Sequence, residues 1–452
     1  MQFFNKKFLI FGMSKSGYSA TECLLNLGAE CFIYDEDDKK EYSKDLSSLL
    51  EKGAKQVLTQ NVKKTVDECD VLVISPGIPI NHDVCLYAKK VGKRIIGELE
   101  LGSLLIKSPM IAVTGTNGKT TTVSIISKIL EYANVAHSLV GNIGVPITSK
   151  ISDLQVFDGF AVTEVSSFQL ETIHSLCPHI ACVLNITPDH LERHYTMENY
   201  VYLKNRLLKN MRESEYVVLN ADDVTVASFA ENVKSKVIWF SKTKKADAYY
   251  LNKNIYFGEE LIVNEDELSI KGEHNIQNVL VSICIAKTIG IDNEILHKAL
   301  VDFKGARHRI EYIGEVNDKG FYNDSKGTNT GSTISAIKTM TKPTILILGG
   351  KEKGESYEEL FTFIKTSLVK KVVLCGESSF NMLKTAIYCG YENVYVEKDF
   401  RKAILLANYL CDKGENVLLS PACSSFDSFS SYAERGEFFC KVVKELDYQE
   451  NS

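Results

Sequence analysis

The sequence predicts an α/β protein of three domains built on mostly parallel sheets, on three observations. The chain has 452 residues, and at roughly 150 residues per domain that length holds about three compact units. Short apolar runs alternate with helix-length segments along most of it, the rhythm of parallel strands joined by crossover helices. No low-complexity or proline-rich stretch separates the units, so the joints are expected to be short, near 97–108 and 303–310.

In the first hundred residues, strands are expected at 8–12, 31–34, 71–75 and 94–96. Gly12, Gly17 and the acid Asp35 after the second strand imitate a dinucleotide fingerprint, but their spacing is not G-x-G-x-x-G. This unit is read as a Rossmann-like N-terminal domain, 1–100. A second strand set at 110–114, 159–164 and 180–185 opens a central domain, 101–304, of the P-loop ATPase type. The more polar, alternating stretch 248–271 suggests a small antiparallel annex, followed by a helix opening near Asn275. A second Rossmann-like domain, 305–452, is expected to begin near Ala306, with strands at 344–348, 371–375, 393–397 and 416–420.

Composition narrows the function classes. With 52 basic and 58 acidic residues the net charge is −6, and no long basic run offers a track for nucleic acid. Twelve cysteines without a C-x-x-C pair read as reduced thiols of a cytoplasmic protein. The apolar run after Lys6 and Lys7 is too short for a signal-peptide core, and no other reaches about 18 residues, so membrane insertion is not expected.

The strand 110–114 runs directly into Gly115, Thr116, Asn117, Gly118, Lys119, Thr120 and Thr121, then a helix expected over 123–132. This is the strand–loop–helix setting of a phosphate loop, although Val113 stands where the usual pattern has its first glycine. Backbone N–H groups and the helix N-terminus favour phosphate, Lys119 reaches the outer phosphates, and the Thr120 hydroxyl suits Mg²⁺. A glycine turn capping an ordinary helix would leave Lys-Thr at the helix start unexplained. Glu164 ends a neighbouring strand and is a candidate magnesium ligand, or else an acid offsetting a helix dipole. His190, in the polar run 185–194 after the next strand, is a candidate to bind metal or orient a carboxylate. Lys204 follows on a helix, where one lysine among many reads as a solvated side chain.

Together these motifs resemble the Mur ligase family, the cytoplasmic peptidoglycan-building ligases related to folylpolyglutamate synthetase. The resemblance spans nearly the whole chain. It rests on the loop 115–121, Glu164 with Ser166 and Ser167, the run 185–190, Gly272-Glu-His-Asn275-x-x-Asn278, His308-Arg309, Asn323-Asp324-Ser-Lys326-Gly-Thr328-Asn329 and Leu348-Gly-Gly-x-x-Lys353-Gly. Within the family the branch that adds D-glutamate to UDP-N-acetylmuramoyl-L-alanine is the most similar. That similarity rests on the segments 11–17, 75–78, 141–144 and 420–427, and no D-N-P-R sequence of the diaminopimelate-adding branch occurs.

The resemblance implies a monomeric ATP-dependent ligase using ATP and two Mg²⁺ ions, with those two small molecules as its partners. It assigns Lys119, Glu164, His190 and Lys204 to catalysis, and Asn275, Arg309 and Asp324, with the loop 115–121, to ATP. It implies that Thr120, Glu164, His190 and Lys204, the last as a carbamate, hold metal. Lys15, Ser16, Asp35, Gly77 and Asn142 would face the UDP-linked substrate. Thr328, Lys353, Ser425, Phe426 and Tyr432 would surround D-glutamate, the less favoured alternative for each being ordinary turn chemistry or a half-buried tyrosine. Other readings are a P-loop ATPase motor, a nucleotide-binding regulator without catalysis, another amino-acid ligase of the family, and a folylpolyglutamate synthetase.

Overall fold

A computed structural model describes residues 3–36, 46–155, 158–270, 272–305, 307–352, 354 and 356–450, with the backbone alone at 274 and 447–450. Three sheets carry the chain, in two compact units. One unit comprises 1–267 and 277–302 and holds the first two sheets; the other comprises 268–276 and 303–452.

The first sheet is built from Lys7–Phe11 (β1), Glu30–Tyr34 (β2), Lys55–Gln56 (β3), Val71–Ile74 (β4) and Arg94–Gly97 (β5), all parallel, in the order β3-β2-β1-β4-β5. Alternate residues of the same strands enter opposite cores. Phe8, Ile10, Val71 and Val73 pack on one face, and Leu9, Phe11, Leu72 and Ile74 on the other. A parallel sheet covered on both faces requires such continuous apolar strands. The expected Rossmann-like domain is present.

The second sheet has nine strands: Met110–Thr114 (β6), Ala136–Gly141 (β7), Gly159–Glu164 (β8), Ile180–Val183 (β9), Tyr216–Asn220 (β10), Lys236–Ser241 (β11), Ala248–Leu251 (β12), Asn254–Phe257 (β13) and Glu260–Asn264 (β14). Strand β6 lies between β8 and β9, so the loops leaving all three carboxyl ends meet in one crevice. The antiparallel annex is not a separate layer. β12 pairs parallel with β11, and β13 and β14 then extend the same sheet by antiparallel hairpins. Strands β7, β10 and β11 were not anticipated; β7 and β11 are only half-buried and lack the unbroken apolar run that marks β6.

The expected joint at 97–108 is a helix, Glu98–Ser103, with Glu98 through Gly102 buried. Glu98 accepts from both the backbone N–H and the hydroxyl of Thr148 at 2.7 Å. Glu100 accepts from the N–H groups of His174, Ser175 and Leu176 and from the Ser175 hydroxyl. These carboxylates fasten the first sheet's last connection to the second sheet.

The second unit's sheet joins Glu311–Val316 (β15), Lys319–Asn323 (β16), Thr344–Gly349 (β17), Val369–Cys375 (β18), Val394–Val396 (β19) and Asn416–Leu419 (β20) in the order β15-β16-β20-β17-β18-β19. It is parallel except for the β15–β16 hairpin, which the sequence did not reveal. Among the described residues no helix is long and apolar enough to cross a membrane. All twelve cysteines are free thiols, and burial pushes several upward, Cys31 to about 12.

Candidate active site

The candidate phosphate loop, 115–121, is held by the segment after β9. Thr116 N–H donates to the Asn185 carbonyl at 2.9 Å, and Asn117 N–H to Asn185 Oδ1 at 2.9 Å. The Asn185 amide returns a bond to the Asn117 carbonyl, and Thr116 Oγ1 donates to the Thr187 carbonyl at 3.0 Å. Gly118, at φ 89°, caps a helix that begins at Lys119, earlier than expected; a Cβ there would lie 2.3 Å from Asn278 Oδ1. Asn278, from the quoted Gly272–Asn278 motif, thus packs against the loop's last glycine.

Thr120 Oγ1 donates to Glu164 Oε2 at 2.7 Å, and Asn142 Nδ2 to Glu164 Oε1 at 2.7 Å. Register explains the meeting, because Val113 pairs with Glu164 and Gly141 with Glu164 across β6, β8 and β7. The acid therefore faces the phosphate-loop threonine. The short helix that follows, Ser167–Leu170, has its own capping box from Ser166 and Gln169. Asn142, expected at the UDP-linked substrate, here holds Glu164.

Lys204 is 1 % exposed, so it is not the solvated lysine that its sequence context suggested. Its Nζ donates to the Gly115 carbonyl at 2.8 Å and lies 3.3 Å from Thr114 Oγ1. Lys119 Nζ donates to the Gly115 and Thr116 carbonyls, both at 2.7 Å. Burial foremost, and then the Lys119 charge, hold the Lys204 amine well below the usual lysine range. Two lysines therefore share one carbonyl, and burial of the inner one disfavours its charged form.

His190 adopts a left-handed backbone, φ 55°. Its ring lies 4.9 Å from Phe168, with Nδ1 3.4 Å from Glu192 and Nε2 3.7 Å from Asp189. Its neighbours are these acids, whereas Glu164 is engaged by Thr120 and Asn142. His194, which drew no separate attention in the sequence, is buried on Ser167 Oγ at 2.9 Å, and burial lowers it to about 4. Among the described residues no three His, Cys, Asp or Glu side chains cluster as a metal cage. Thr120 and Glu164 nonetheless offer the hard oxygen donors that suit Mg²⁺, which takes one or two carboxylates and completes its shell with phosphates and water.

At the first sheet, Lys15 and Ser16 open the helix Lys15–Asn26. Asp35 Oδ2 accepts from Met13 N–H at 3.0 Å, and Ser75 Oγ donates to the Gly12 carbonyl at 2.7 Å. A Cβ on Gly17 would fall 1.9 Å from that carbonyl oxygen, which makes glycine obligatory in the turn. The Gly77 and Ile78 carbonyls accept from Arg193.

In the second unit, Asp324 is buried, accepting from Ser420 Oγ at 2.7 Å and Ile310 N–H at 3.3 Å. Burial raises its carboxyl to about 6, opposed chiefly by Arg309. Asn275 lies in the first turn of the helix Glu273–Thr288. Tyr432 is half-buried under Lys326, whose Nζ is 4.8 Å from its ring centre and 3.3 Å from its hydroxyl. Ser425 is buried and its carbonyl caps Ser428 and Phe429, Thr328 is half-buried, and Phe426 is 70 % exposed. Lys353 lies outside the described residues.

Arg435 and Lys326 stand beside the candidate residues without having been singled out among them. Arg435 is 2 % exposed, and its guanidinium donates to the Cys423, Ser424 and Ser325 carbonyls and to Ser325 Oγ, binding the 420–427 loop to the Asp324 loop. It sits in the quoted region's flanking helix, where spacing alone gives no signal. Lys326 was within a quoted motif.

Comparison with known proteins identifies the family. The chain matches a MurD-like Mur ligase N-terminal domain over residues 6–97, the Mur ligase middle domain over 113–286, and the Mur ligase glutamate ligase domain over 308–423. It is 39% identical to the UDP-N-acetylmuramoylalanine–D-glutamate ligase of Clostridioides difficile, covering 98% of this chain and 99% of that one. It is 37% identical to the enzyme of the same name from Caldanaerobacter subterraneus, covering 99% and 100%. Among solved structures, MurF from Acinetobacter baumannii shares the fold at a TM-score of 0.65 and 16% identity over 97% of this chain and 93% of that one. MurF from Thermotoga maritima, solved in complex with ADP, does so at 0.60 and 16%, covering 99% and 96%. Full-length identity at this level and three successive domain matches show that the chain belongs to the Mur ligases, in the UDP-N-acetylmuramoylalanine–D-glutamate ligase family.

Proposed function

We propose that the protein joins D-glutamate to UDP-N-acetylmuramoyl-L-alanine at the expense of ATP, in the cytoplasm. The observation that carries the ATP half of this reading is the 2.7 Å contact of Thr120 with Glu164 at the head of the phosphate loop. The γ-phosphoryl group passes to the terminal carboxylate of the UDP-linked substrate, giving an acyl phosphate and ADP. The amine of D-glutamate then attacks the acyl carbon, phosphate leaves, and the amine loses a proton as the amide forms.

Each residue has a part that its chemistry supports. The loop N–H groups and Lys119 bind and orient the phosphates, which repel the incoming carboxylate unless neutralised. Two Mg²⁺ ions, held through Thr120, Glu164, His190 and carbamylated Lys204, would add to that neutralisation. The neutral amine of Lys204 is the form that can attack CO₂; carbamylation forms an N–C bond, releases a proton and leaves an anion where a cation could have stood. Glycine-lined turns at Gly12 and Gly17, with Lys15, Ser16, Asp35 and Gly77, would receive the uridine diphosphate. Asn275, Arg309 and Asp324 would contact the nucleotide. Thr328, Lys353, Ser425, Phe426 and Tyr432 would receive the amino acid, whose two carboxylates suit a site rich in hydroxyls and lysine.

The test is phosphate release with ATP, Mg²⁺ and UDP-N-acetylmuramoyl-L-alanine, offered D-Glu, L-Glu, L-Ala or L-Lys in turn. Turnover with D-Glu alone is expected. Release without any acceptor would favour a simple ATPase, and preference for another amino acid would move the chain to a different branch of the family.

A further inference from the structure

A groove of about 490 Å³ runs between the first and second sheets of the first unit, apart from the phosphate loop. Its volume lies within the roughly 300–1,000 Å³ of small-molecule sites. Five cationic side chains line it, Lys89, Lys93, Arg94, Arg193 and Arg206, against one carboxylate, Glu171. In a chain of net charge −6 that concentration is unusual.

Two of the five are paired with carboxylates, Arg193 with Glu171 and Arg94 with Glu100, and the other three, Lys89, Lys93 and Arg206, meet backbone carbonyls instead. Glu171 is already closed by Arg193, through Nε at 3.0 Å and a terminal nitrogen at 2.7 Å. Lys89 donates to the Ile80 carbonyl at 3.2 Å, Lys93 to the Asp67 carbonyl at 2.7 Å, and Arg206 to the Glu171 and Ile173 carbonyls. Carbonyl partners fix a side chain without cancelling its charge. Arg94 is 3.4 Å from Glu100, whose four other donors are uncharged, so this carboxylate offsets the Arg94 charge. The groove therefore keeps its positive excess on Lys89, Lys93 and Arg206. Tyr195 and Tyr202, 69 % and 59 % exposed, stand on its rim, and Asn81 Nδ2 donates to the Tyr195 hydroxyl at 2.9 Å.

We propose that this groove is a second ligand site, for a nucleotide whose phosphates meet Lys89, Lys93 and Arg206 and whose base stacks on the tyrosines. Phosphate is recognised by clustered cations and a base by an exposed aromatic face. The groove backs onto the reaction site. The helix Met197–Asn205 turns Asn199, Tyr202 and Leu203 toward it, while Lys204 of the same helix reaches the phosphate loop. Arg193 likewise spans from the groove to the Gly77 and Ile78 carbonyls beside the first sheet's turn.

The test is calorimetric titration of GDP into the full-length protein with ADP, UDP and Mg²⁺ at saturation, so that the two nucleotide sites of the proposed reaction are filled. One further equivalent of GDP should bind. Lys89→Glu/Lys93→Glu should weaken it at least tenfold and Tyr202→Ala several-fold, whereas Lys119→Ala should leave it unchanged. Circular dichroism melts establish that each variant is folded, and Tyr202→Ala decides the matter if the double variant is not. Absence of GDP binding to the wild type overturns the proposal. So does GDP affinity within twofold of wild type in the folded variants, loss of GDP binding in Lys119→Ala, or inorganic pyrophosphate binding as tightly as GDP.

Discussion

Glu98 provides a quantitative test of how the first two sheets are joined. Its carboxyl is 3 % exposed and accepts twice from Thr148, whose hydroxyl is also 2.8 Å from Ser19 Oγ. Since the Thr148 proton points to Glu98, Ser19 is the donor to Thr148, and the chain of bonds has one direction. Burial raises the carboxyl from 4.5 to about 7, with the two Thr148 bonds opposing. A raised carboxyl in the folded state means that the native protein holds its proton longer than the unfolded chain does. The associated stability is fully present below about pH 4.5 and is lost as pH rises through about 7. At about 1.4 kcal/mol per pH unit, the loss reaches about 3 kcal/mol above that window.

Glu98→Gln keeps an acceptor for Thr148 and removes the titration, at a cost of about 1 kcal/mol for the new amide N–H. The variant should therefore be more stable than wild type by about 2 kcal/mol at about pH 8, and slightly less stable at about pH 5. Urea unfolding followed through Trp239, the single tryptophan and a residue of β11 in the same unit, measures the difference. A stability change that is equal at both pH values would refute the reasoning, because the buried carboxyl would then not be the titrating group.

Other consequences are independent of that one. Lys119→Ala should abolish substrate-dependent ADP release while leaving the circular dichroism spectrum intact; unchanged turnover would remove the phosphate-loop assignment. Because the Lys204 amine must be neutral to take up CO₂ and its ordinary value is strongly lowered, activity should fall as pH drops through that lowered value. Added bicarbonate should restore it, and a variant lacking the amine should show no rescue. Gly17→Ala places a methyl 1.9 Å from the Gly12 carbonyl oxygen, which overpacking at about 1–3 kcal/mol would make visible as a lower melting temperature. Binding of the UDP-linked substrate, followed by calorimetry, should weaken in the same variant. Arg435→Met should raise KM for D-glutamate more than it lowers kcat, since Arg435 positions the 420–427 loop through backbone carbonyls.

What the sequence determined by itself is local. Continuous apolar runs such as 71–74 and 110–114 announced buried parallel strands, and the glycines after β6 announced a turn into a helix, because both depend on neighbours in the chain. Strands with mixed burial, β7 and β11, and the β15–β16 hairpin carried too weak a pattern to be read. Pairings between distant segments were decided only by the tertiary structure. Thr120 meets Glu164 because β6 and β8 are adjacent in register, and the Lys204 amine is held well below the usual lysine range because the helix Met197–Asn205 buries it against the Gly115 carbonyl. Glu98 and Glu100 fall within the short joint expected near 97–108, and only the structure shows that both are buried and tie two sheets together. Charge and spacing are written in the chain, but desolvation and the identity of a partner exist only once the sheets have packed.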